Sequence, residues 1–348
     1  MVLPSSERTR RSGDLVADIV ADIVAATRRG SIVYSRSRFH APWGVSVPAG
    51  RLASFHVVTS GACWLTRDGH DPIRLTRGDV VLVPSGSAHA LVDSPGTPAR
   101  PLVELIDGPL CPTMPNEVVL DGSGPATGLL CGGYLLDAGP RHPLTATLPE
   151  VLHLDARRAR GTGLAAAVDL LSDEVDRTDP GAPAVIAGLV DLLFVYVLRA
   201  RLAEQNTDPE PDGNVAGTGW MRAFYDPVVG GALALIHRDP GHQWTVAGLA
   251  RAVGAPRATF GRRFTTLTGQ APMTYVTGWR MTVACRLLRE ERHPLREIAH
   301  RVGYDSEFAF ARAFKRAVGQ APGRYRSVPA EPLLPPGFPS TVDTQAIR

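Results

Sequence analysis

The spacing of apolar residues divides the chain into parts with different periodicity. Near the N-terminus, Leu15, Ile19, Ile23 and Val24 recur at helical spacing and predict an amphipathic helix over residues 13–28. Short apolar runs separated by turn residues then follow as far as residue 150, and they predict a small antiparallel β-barrel or sandwich. The predicted strands lie within RLASFHVVTS, ACWLTRDG, DPIRLTRGD, VVLVPSG, HALVDS, RPLVELID and GLLCGGYLLD.

After residue 150 the pattern changes to helical periodicity. Residues 162–177 and 183–203 predict two helices, and the second is so apolar that we expect it to be buried or shared with a partner chain. Residues 204–219 are rich in proline, glycine and aspartate and predict a flexible linker. The expected parts are a domain over 1–150 that includes the N-terminal helix, a helical dimerisation segment over 151–203, the linker over 204–219, a helical domain over 220–327 and a disordered tail over 328–348.

The tetrapeptide GQAP occurs twice in the helical domain, at residues 269–272 and 319–322. Aligning the two copies pairs Phe264 with Phe314, and each phenylalanine is preceded by a short helical pattern and a glycine, in VAGLARAVG and LREIAHRVG. A short helix, a glycine turn and a second helix anchored by an aromatic residue form a helix-turn-helix. The sequence therefore predicts a multidomain α+β protein whose C-terminal domain is all-α and contains two helix-turn-helix units.

Each GQAP segment has the residue types that end one helix and begin the next. Gly269 and Gly319 are expected to take the left-handed conformation that closes a helix, and Pro272 and Pro322 suit a first helical turn. The helix after the first copy is predicted to have about 19 residues and to span roughly 28 Å. That length approaches the ~34 Å between successive major-groove faces on one side of B-DNA.

The distribution of charge favours a partner for this domain. The formal net charge is +3, but residues 1–220 hold 25 acidic and 19 basic side chains, whereas residues 221–327 hold 7 acidic and 17 basic ones. Positive charge is thus concentrated in the part that contains both repeats. This asymmetry favours a polyanion such as double-stranded DNA over the alternative, a merely solvated basic surface.

The outward faces of the second helices form the candidate DNA-reading surface. Phe260 and Phe264 are expected to be buried in the first unit, and Phe310 and Phe314 in the second. The candidate DNA-binding residues are Arg257, Ala258, Gly261, Arg262 and Arg263 in the first unit, and Glu307, Phe308, Ala311, Arg312, Lys315 and Arg316 in the second. In each unit an arginine stands two residues before the anchoring phenylalanine, where it is able to pair with guanine or hold a phosphate.

These segments carry a resemblance to a known family. LARAVGAPRATFGRRFTTLTGQAPMTYV, WRMTVACRLL and IAHRVGYDSEFAFARAFKRAVGQAPGRYR resemble the DNA-binding domain of the AraC/XylS family of bacterial transcription regulators over residues 230–327. The resemblance implies sequence-specific binding to double-stranded DNA, contact with RNA polymerase if the protein is an activator, a small-molecule effector of unknown identity and a homodimer. Such domains commonly begin the first recognition helix with a serine-type cap, as Ser306 does in the second unit. This chain has Pro256 there, and because Ala258 and Gly261 are also small, its first helix is expected to offer fewer long side chains to the bases.

A second resemblance lies in the N-terminal half. Residues 78–89, GDVVLVPSGSAH, fit G-x5-P-x-G-x2-H and are similar to the second signature of the cupin β-barrel. Together with the predicted strands, this makes residues 1–150 resemble the cupin-like sensor domain found in one branch of the same family. Metal-binding cupins take two histidines and a glutamate from a first signature, but Ser54 stands at the glutamate position. An iron-dependent dioxygenase site is therefore not expected.

Two candidate sites stay open in this domain. A zinc ion is one alternative, because His56, Cys63, His89 and Cys131 include acceptable zinc ligands, whereas the other alternative is that they are buried histidines and inert thiols. The candidate ligand-binding residues are Trp43, His56, Trp64 and His89, which combine apolar surface with a few polar groups.

The expected function is a transcription regulator that is not an enzyme. A cupin-type metalloenzyme with an accessory nucleic-acid-binding module is the alternative, and the serine at position 54 argues against it. A pure interaction scaffold would leave the paired arginines unexplained. No run is expected to reach the roughly 20 apolar residues of a membrane span, and Asp14, Asp18 and Asp22 do not fit a secretory signal. We therefore expect a cytoplasmic protein without membrane contact, whose four widely spaced cysteines are reduced.

Overall fold

The computed structural model describes most of the chain and divides it into two compact units. The described residues are 19–106, 115–136, 142, 148–159, 161–177, 179–207, 219–290 and 293–327. One unit, here the strand unit, comprises residues 29–136 and 148–200. The other, the helical unit, comprises the described residues among 1–28, 137–147 and 201–327.

The strand unit is built from two sheets. Its strands are β1 (Arg28–His40), β2 (Gly44–Val47), β3 (Leu52–Ser60), β4 (Ala62–Thr66), β5 (Ile73–Thr76), β6 (Val80–Val83), β7 (His89–Val92), β8 (Arg100–Pro101), β9 (Asn116–Leu120), β10 (Ala126–Leu136) and β11 (Leu152–Leu154). The six-stranded sheet has the order β11-β6-β3-β10-β1-β9, and the five-stranded sheet has the order β5-β4-β7-β2-β8.

The expectation of a closed antiparallel barrel was wrong. The strands form two separate sheets, and the pairs β1–β9 and β2–β8 run parallel. Both sheets contribute to one apolar core, which includes Tyr34 of β1, Val45 of β2, Leu91 of β7 and Leu129 of β10. Burial of this shared core holds the two sheets together, so the sandwich alternative describes the unit better.

Several predicted strands were confirmed and one was mostly wrong. The runs that begin at residues 51, 62, 71, 80, 89 and 128 each contain a strand. The run RPLVELID instead contains only the two-residue β8, followed by a 3-10 helix over Leu102–Glu104. The strands β1, β2, β9 and β11 were not predicted, and β1 was hidden because Ser35 and Ser37 are buried where its pattern lacks apolar side chains.

Three helices follow the strands: α2 (Ala156–Ala159), α3 (Gly163–Glu174) and α4 (Ala182–Thr207). Helix α4 is long and apolar enough between Ala182 and Ala200 to cross a bilayer, so the expectation that no run has this length was wrong. One of its faces is buried in the strand unit, where Phe194 contacts Tyr134 and the Tyr134 hydroxyl donates to the Val190 carbonyl at 3.0 Å. The helix also continues to Thr207, into the expected linker.

The helical unit contains the remaining helices. Residues 19–27 form α1. The others are α5 (Gly219–Tyr225), α6 (Val229–Arg238), α7 (Val246–Ala252), α8 (Arg257–Thr268), α9 (Pro272–Glu290), α10 (Leu295–Arg301), α11 (Glu307–Val318) and α12 (Pro322–Ser327). The expected tail over 328–348 and most of the expected linker, 208–218, lie outside the described residues.

Helix α1 lies in the helical unit, and the expected domain over residues 1–150, which includes this helix, stays a prediction. Its Ile19 and Ile23 are buried, as their helical spacing predicts. Asp22 Oδ2 on the same helix lies 3.5 Å from His237 Nδ1 on α6. The N-terminal helix is therefore packed against the domain that contains the two GQAP segments.

Candidate nucleic-acid interface

Two helix pairs of matching construction form the candidate interface. In each pair a short helix, α7 or α10, leads through a glycine to a longer one, α8 or α11. Gly254 and Gly303 have φ angles of +67° and +78°, in the left-handed region that glycine adopts without strain. Gly269 and Gly319, with φ of +75° and +83°, close α8 and α11 as predicted.

The two long helices differ at their first residue. The Ser306 hydroxyl accepts a hydrogen bond from the backbone N–H of Ala309 at 3.2 Å and thereby caps α11. Pro256 precedes α8 and provides no side-chain cap. The predicted departure of the first unit is therefore visible in the geometry.

The buried and exposed faces of α8 and α11 agree with the predicted helix orientation. Phe260, Phe264, Phe310 and Phe314 are fully buried. The exposed candidates are Arg257, Ala258, Arg262, Arg263, Glu307, Phe308, Arg312, Lys315 and Arg316, while Gly261 and Ala311 are half-buried. The two helices thus each present one face to solvent and one to the core of the unit.

Arg263 differs from the other candidates because its guanidinium is already engaged. It forms a salt bridge with Asp226, whose side chain is 7% exposed. The other oxygen of this carboxylate accepts hydrogen bonds from the backbone N–H groups of Val228 and Val229 at the start of α6, each at 2.9 Å. The guanidinium of Arg263 is thus engaged by a buried carboxylate although its side chain is 48% exposed, and its role as a DNA-reading residue stays a prediction.

Helix α9 connects the two helix pairs. It has 19 residues, as predicted. Arg280 in its middle donates from Nε to the Pro240 carbonyl and from Nη2 to the His242 carbonyl, both at 2.8 Å, and lies 5.7 Å from the centre of the Tyr304 ring. A side chain at Gly303 would collide with this guanidinium, since an added Cβ would lie 2.4 Å from Arg280 Nη2. Sequence reasoning missed this anchor, because its carbonyl partners carry no residue-type signal.

A buried polar cluster lies behind the two helix pairs, within the helical unit. The Tyr275 hydroxyl is 3.0 Å from His142 Nε2 and 2.5 Å from His237 Nε2. Trp279 stacks on His237 with ring centres 3.8 Å apart. Burial lowers the pKa of both histidines, so both are neutral at pH 7. The cluster joins α6 and α9 through polar contacts in addition to apolar packing.

In the strand unit, the structure brings His56 and His89 together. Their Nε2 atoms are 2.7 Å apart, and His89 Nδ1 lies 2.7 Å from the Ser87 carbonyl. A carbonyl only accepts, so His89 carries its proton on Nδ1 and its Nε2 accepts from the Nε2–H of His56. Burial lowers the pKa of both rings, which keeps them neutral. His56 Nδ1 is then a buried acceptor without a partner among the described residues.

The predicted zinc ligands do not form a metal-binding group in the described part of the chain. Cys131 pairs in register with His56, but no three His, Cys, Asp or Glu side chains among the described residues are arranged to hold an ion. Burial raises the pKa of the Cys63 and Cys131 thiols to about 12, so both are protonated at neutral pH. The zinc site stays a prediction without a preassembled set of ligands.

The two tryptophans predicted to line a ligand pocket have different surroundings. Trp43 is 3% exposed and packs against Phe39, with ring centres 4.8 Å apart. Its indole Nε1 is buried without a hydrogen-bond partner among the described residues. Trp64 on β4 is half-buried. The structure thus pairs the two histidines of the predicted pocket and places Trp43 in the apolar core.

Comparisons with known proteins connect these two units to described families. Residues 18–203 match the Cupin family, and residues 249–327 match the family described as a helix-turn-helix domain. The first match covers the whole described strand unit, and the second covers both GQAP segments.

Relatives of similar length are transcription regulators. A putative AraC-like transcription regulator of Streptomyces antibioticus is 35% identical over 82% of this chain and 91% of that protein. The regulator AlkR of Acinetobacter baylyi is 27% identical over 82% of this chain and 90% of that protein. Among solved structures, the C-terminal domain of AraT from Geobacillus stearothermophilus is 32% identical, covers 29% of this chain and 84% of that domain, and has a TM-score of 0.28.

These relatives do not support the alternative of a cupin-type metalloenzyme, because they are named as transcription regulators. The family matches cover the strand unit and the two helix pairs separately, and the Streptomyces relative spans both. The chain belongs to the AraC-like transcription regulators, with a cupin N-terminal domain and a DNA-binding helix-turn-helix domain at its C-terminal end.

Proposed function

We propose that α8 and α11 both act as recognition helices, so that each chain binds DNA through two helix-turn-helix units. The observation that carries this proposal is the matched exposure of Arg262 and Arg312, each two residues before a fully buried phenylalanine. An exposed arginine on a helix in the major groove pairs with guanine in two hydrogen bonds or holds a phosphate. The 19 residues of α9 separate the two helices by a length suited to adjacent groove faces.

The two helices contribute unequally to sequence recognition. Helix α8 presents Ala258 and Gly261 at positions where α11 presents Phe308 and Ala311, so the side chain of α8 is the smaller one at both positions. Helix α11 also carries Lys315 and Arg316 on its exposed side. We expect α11 to supply most of the base readout and α8 to contribute through Arg257 and Arg262.

The test is DNA binding by the full chain and by two arginine variants. A site is first selected from randomised duplexes, and affinities for it are then measured by gel shift. Arg312→Ala and Arg262→Ala are each expected to weaken binding by about five- to a hundred-fold, because a bidentate arginine–guanine pair discriminates by about 1–3 kcal/mol. The loss is expected to be larger for Arg312.

Arg74→Ala is the matched control, because Arg74 is an exposed arginine on β5 of the strand unit. It removes the same charge and is expected to leave the affinity unchanged. Unaltered affinity in both Arg262→Ala and Arg312→Ala would refute the assignment of α8 and α11 as recognition helices.

The cupin domain is proposed to bind a small-molecule effector and not to transform it. Support comes from the His56–His89 pair, in which His56 Nδ1 is a buried acceptor that a ligand hydroxyl or amide N–H would satisfy. An effector that binds one conformation of the domain better than another shifts the population of the DNA-binding state. The chain is proposed to act in the cytoplasm, and to contact RNA polymerase if it is an activator.

A homodimer is proposed to form through α4. Val185 and Leu192 lie seven residues apart on this helix and are 46% and 41% exposed, and Leu170 on α3 is 57% exposed. Gly188 lies between them, and a Cβ added there would have no neighbouring atom within 4 Å outside its own helix backbone and chain neighbours. Because glycine has no side chain, the α4 helices of two copies are able to approach closely at Gly188. The exposed Val185 and Leu192 on either side would then be buried in the contact.

A further inference from the structure

Phe308 is the most exposed of the large apolar side chains in the described part of the chain, with 83% of its surface accessible. It is the second residue of α11 and lies outside the buried pair Phe310 and Phe314. A ring left in water forgoes the stabilisation that burial would give. Packing among the described residues therefore does not explain its place in the fold.

The ring lies on the face of α11 that is directed away from the core. At 100° per residue, positions 308, 312 and 315 form one stripe, and Phe310 and Phe314 lie on the opposite side. Arg312 and Lys315 are both exposed. Phe308 is thus at the N-terminal end of the same stripe that carries the proposed DNA contacts.

The first turn of this stripe suits base edges better than phosphates. It contains Glu307, whose carboxylate repels phosphate, and Phe308, which has no polar group to offer one. The basic side chains Arg312, Lys315 and Arg316 follow one to two turns later. In helix-turn-helix proteins the N-terminal residues of the second helix contact base edges in the major groove, which agrees with this division.

The C5-methyl of thymine is a protruding apolar group on the major-groove edges of the bases, and phenylalanine is among the residues that contact it. The position equivalent to Phe308 in α8 is Ala258, which is exposed but much shorter. An apolar readout is therefore built into the second helix and reduced in the first.

We propose that Phe308 determines specificity by contacting the C5-methyl of a thymine in the half-site bound by α11. The inference rests on the proposed function, because it requires α11 to enter the major groove. A loss of one methyl contact corresponds to about a four-fold change in affinity.

The experiment removes the methyl from the DNA and the ring from the protein. Each thymine of the selected site is replaced in turn by deoxyuridine, which keeps the base pair and lacks only the C5-methyl. The full chain is expected to bind one of these duplexes about four-fold more weakly than the parent duplex. Phe308→Ala is expected to bind that duplex and the parent duplex with the same, reduced affinity.

Two further variants separate the methyl contact from a general effect on α11. Phe308→Leu keeps an apolar side chain and is expected to retain most of the deoxyuridine penalty. Arg312→Ala is expected to weaken binding to every duplex and to leave the penalty in place. Because Phe308 is exposed, Phe308→Ala is expected to unfold at the same urea concentration as the unaltered chain.

Equal binding of all deoxyuridine duplexes by the unaltered chain, or a full penalty in Phe308→Ala, would overturn the proposal. If Phe308→Ala keeps its affinity and its penalty but loses transcription in a reconstituted assay, the ring serves a protein partner and the proposal is wrong. Failure of the proposed function looks different, since the full chain would then select no site or Arg312→Ala would bind as well as the unaltered chain.

Discussion

At the scale of single residues, the adjacent arginines Arg262 and Arg263 of α8 have different surroundings. Arg262 is exposed, while the guanidinium of Arg263 bonds Asp226, whose side chain is 7% exposed. Asp226 in turn accepts from the backbone at the start of α6. A one-residue step on a helix rotates a side chain by about 100°, which is enough to turn it from solvent to a buried carboxylate.

Arg263→Ala is therefore expected to reduce stability. The variant leaves Asp226 buried without its cation, and in a fully buried pair this lowers the free energy of unfolding by about 3–5 kcal/mol. Because Arg263 itself is half exposed, we expect a decrease of about 1–2 kcal/mol. Urea unfolding followed by circular dichroism measures the difference. Arg262→Ala serves as the control and is expected to change the free energy of unfolding by less than about 0.5 kcal/mol. Equal stability of the two variants would contradict the structural role of Arg263.

The sequence predicts the buried phenylalanines and the glycine caps of this region because their signals are local. Gly269 and Gly319 close helices through conformations that few residues other than glycine adopt. Asp226 and Arg263 are 37 residues apart in the chain, and only the packing of α6 against α8 brings them together. Arg262 and Arg263 are both polar positions in the sequence pattern of α8. The pattern alone therefore does not show which of them bonds a buried carboxylate.

At the scale of elements, the predictions succeed where the apolar residues of one helix or strand recur with a regular period. They fail where the element is defined by its pairing with a distant part of the chain. The helices at 163–174 and 182–207 were expected from their apolar spacing. Strand β1 was missed because buried Ser35 and Ser37 interrupt its apolar pattern. The parallel pairing of β1 with β9 joins residues about 80 positions apart, which no local pattern specifies. The packing partner of α1 is likewise set by tertiary contact, since its two buried isoleucines fit any apolar surface.

The exposed face of α4 is expected to form the contact between two copies of the chain. Leu192→Asp would place a charged carboxylate in that contact. The free energy needed to bury an unpaired charge exceeds the binding free energy that an ordinary apolar interface residue contributes. We expect the unaltered chain to sediment as a dimer and Leu192→Asp as a monomer at micromolar concentration. Because Leu192 is 41% exposed, the variant is expected to keep its secondary structure.

Val119→Asp is the matched control for the dimer experiment. Val119 is 50% exposed on β9 and lies outside the face formed by Val185 and Leu192. It is expected to remain dimeric. A Leu192→Asp variant that stays dimeric would show that the subunits meet through another surface.

At the scale of the whole molecule, buried neutral histidines couple stability to pH. Each unit contains two of them, His56 and His89 among the strands and His142 and His237 among the helices. Burial lowers the pKa of all four below the ordinary value of histidine. Below a pH of about 6.5 the unfolded chain therefore binds protons that the folded chain does not. The stability that these groups contribute is present above that pH and is lost as the pH falls.

Both units are thus expected to lose stability between pH 7 and pH 5. Each buried histidine contributes a slope of up to about 1.4 kcal/mol per pH unit once the pH is below its unfolded pKa. Urea unfolding of the full chain at several pH values measures this, with Trp279 beside His237 and Trp43 in the strand core as fluorescent reporters of the two units.

His142→Gln is expected to flatten the profile for the helical unit, because glutamine offers an amide to the Tyr275 hydroxyl and does not titrate. His300→Gln, at an exposed position of α10, is expected to leave the profile unchanged. Stability that is constant or rises on acidification would contradict neutral burial of these four rings.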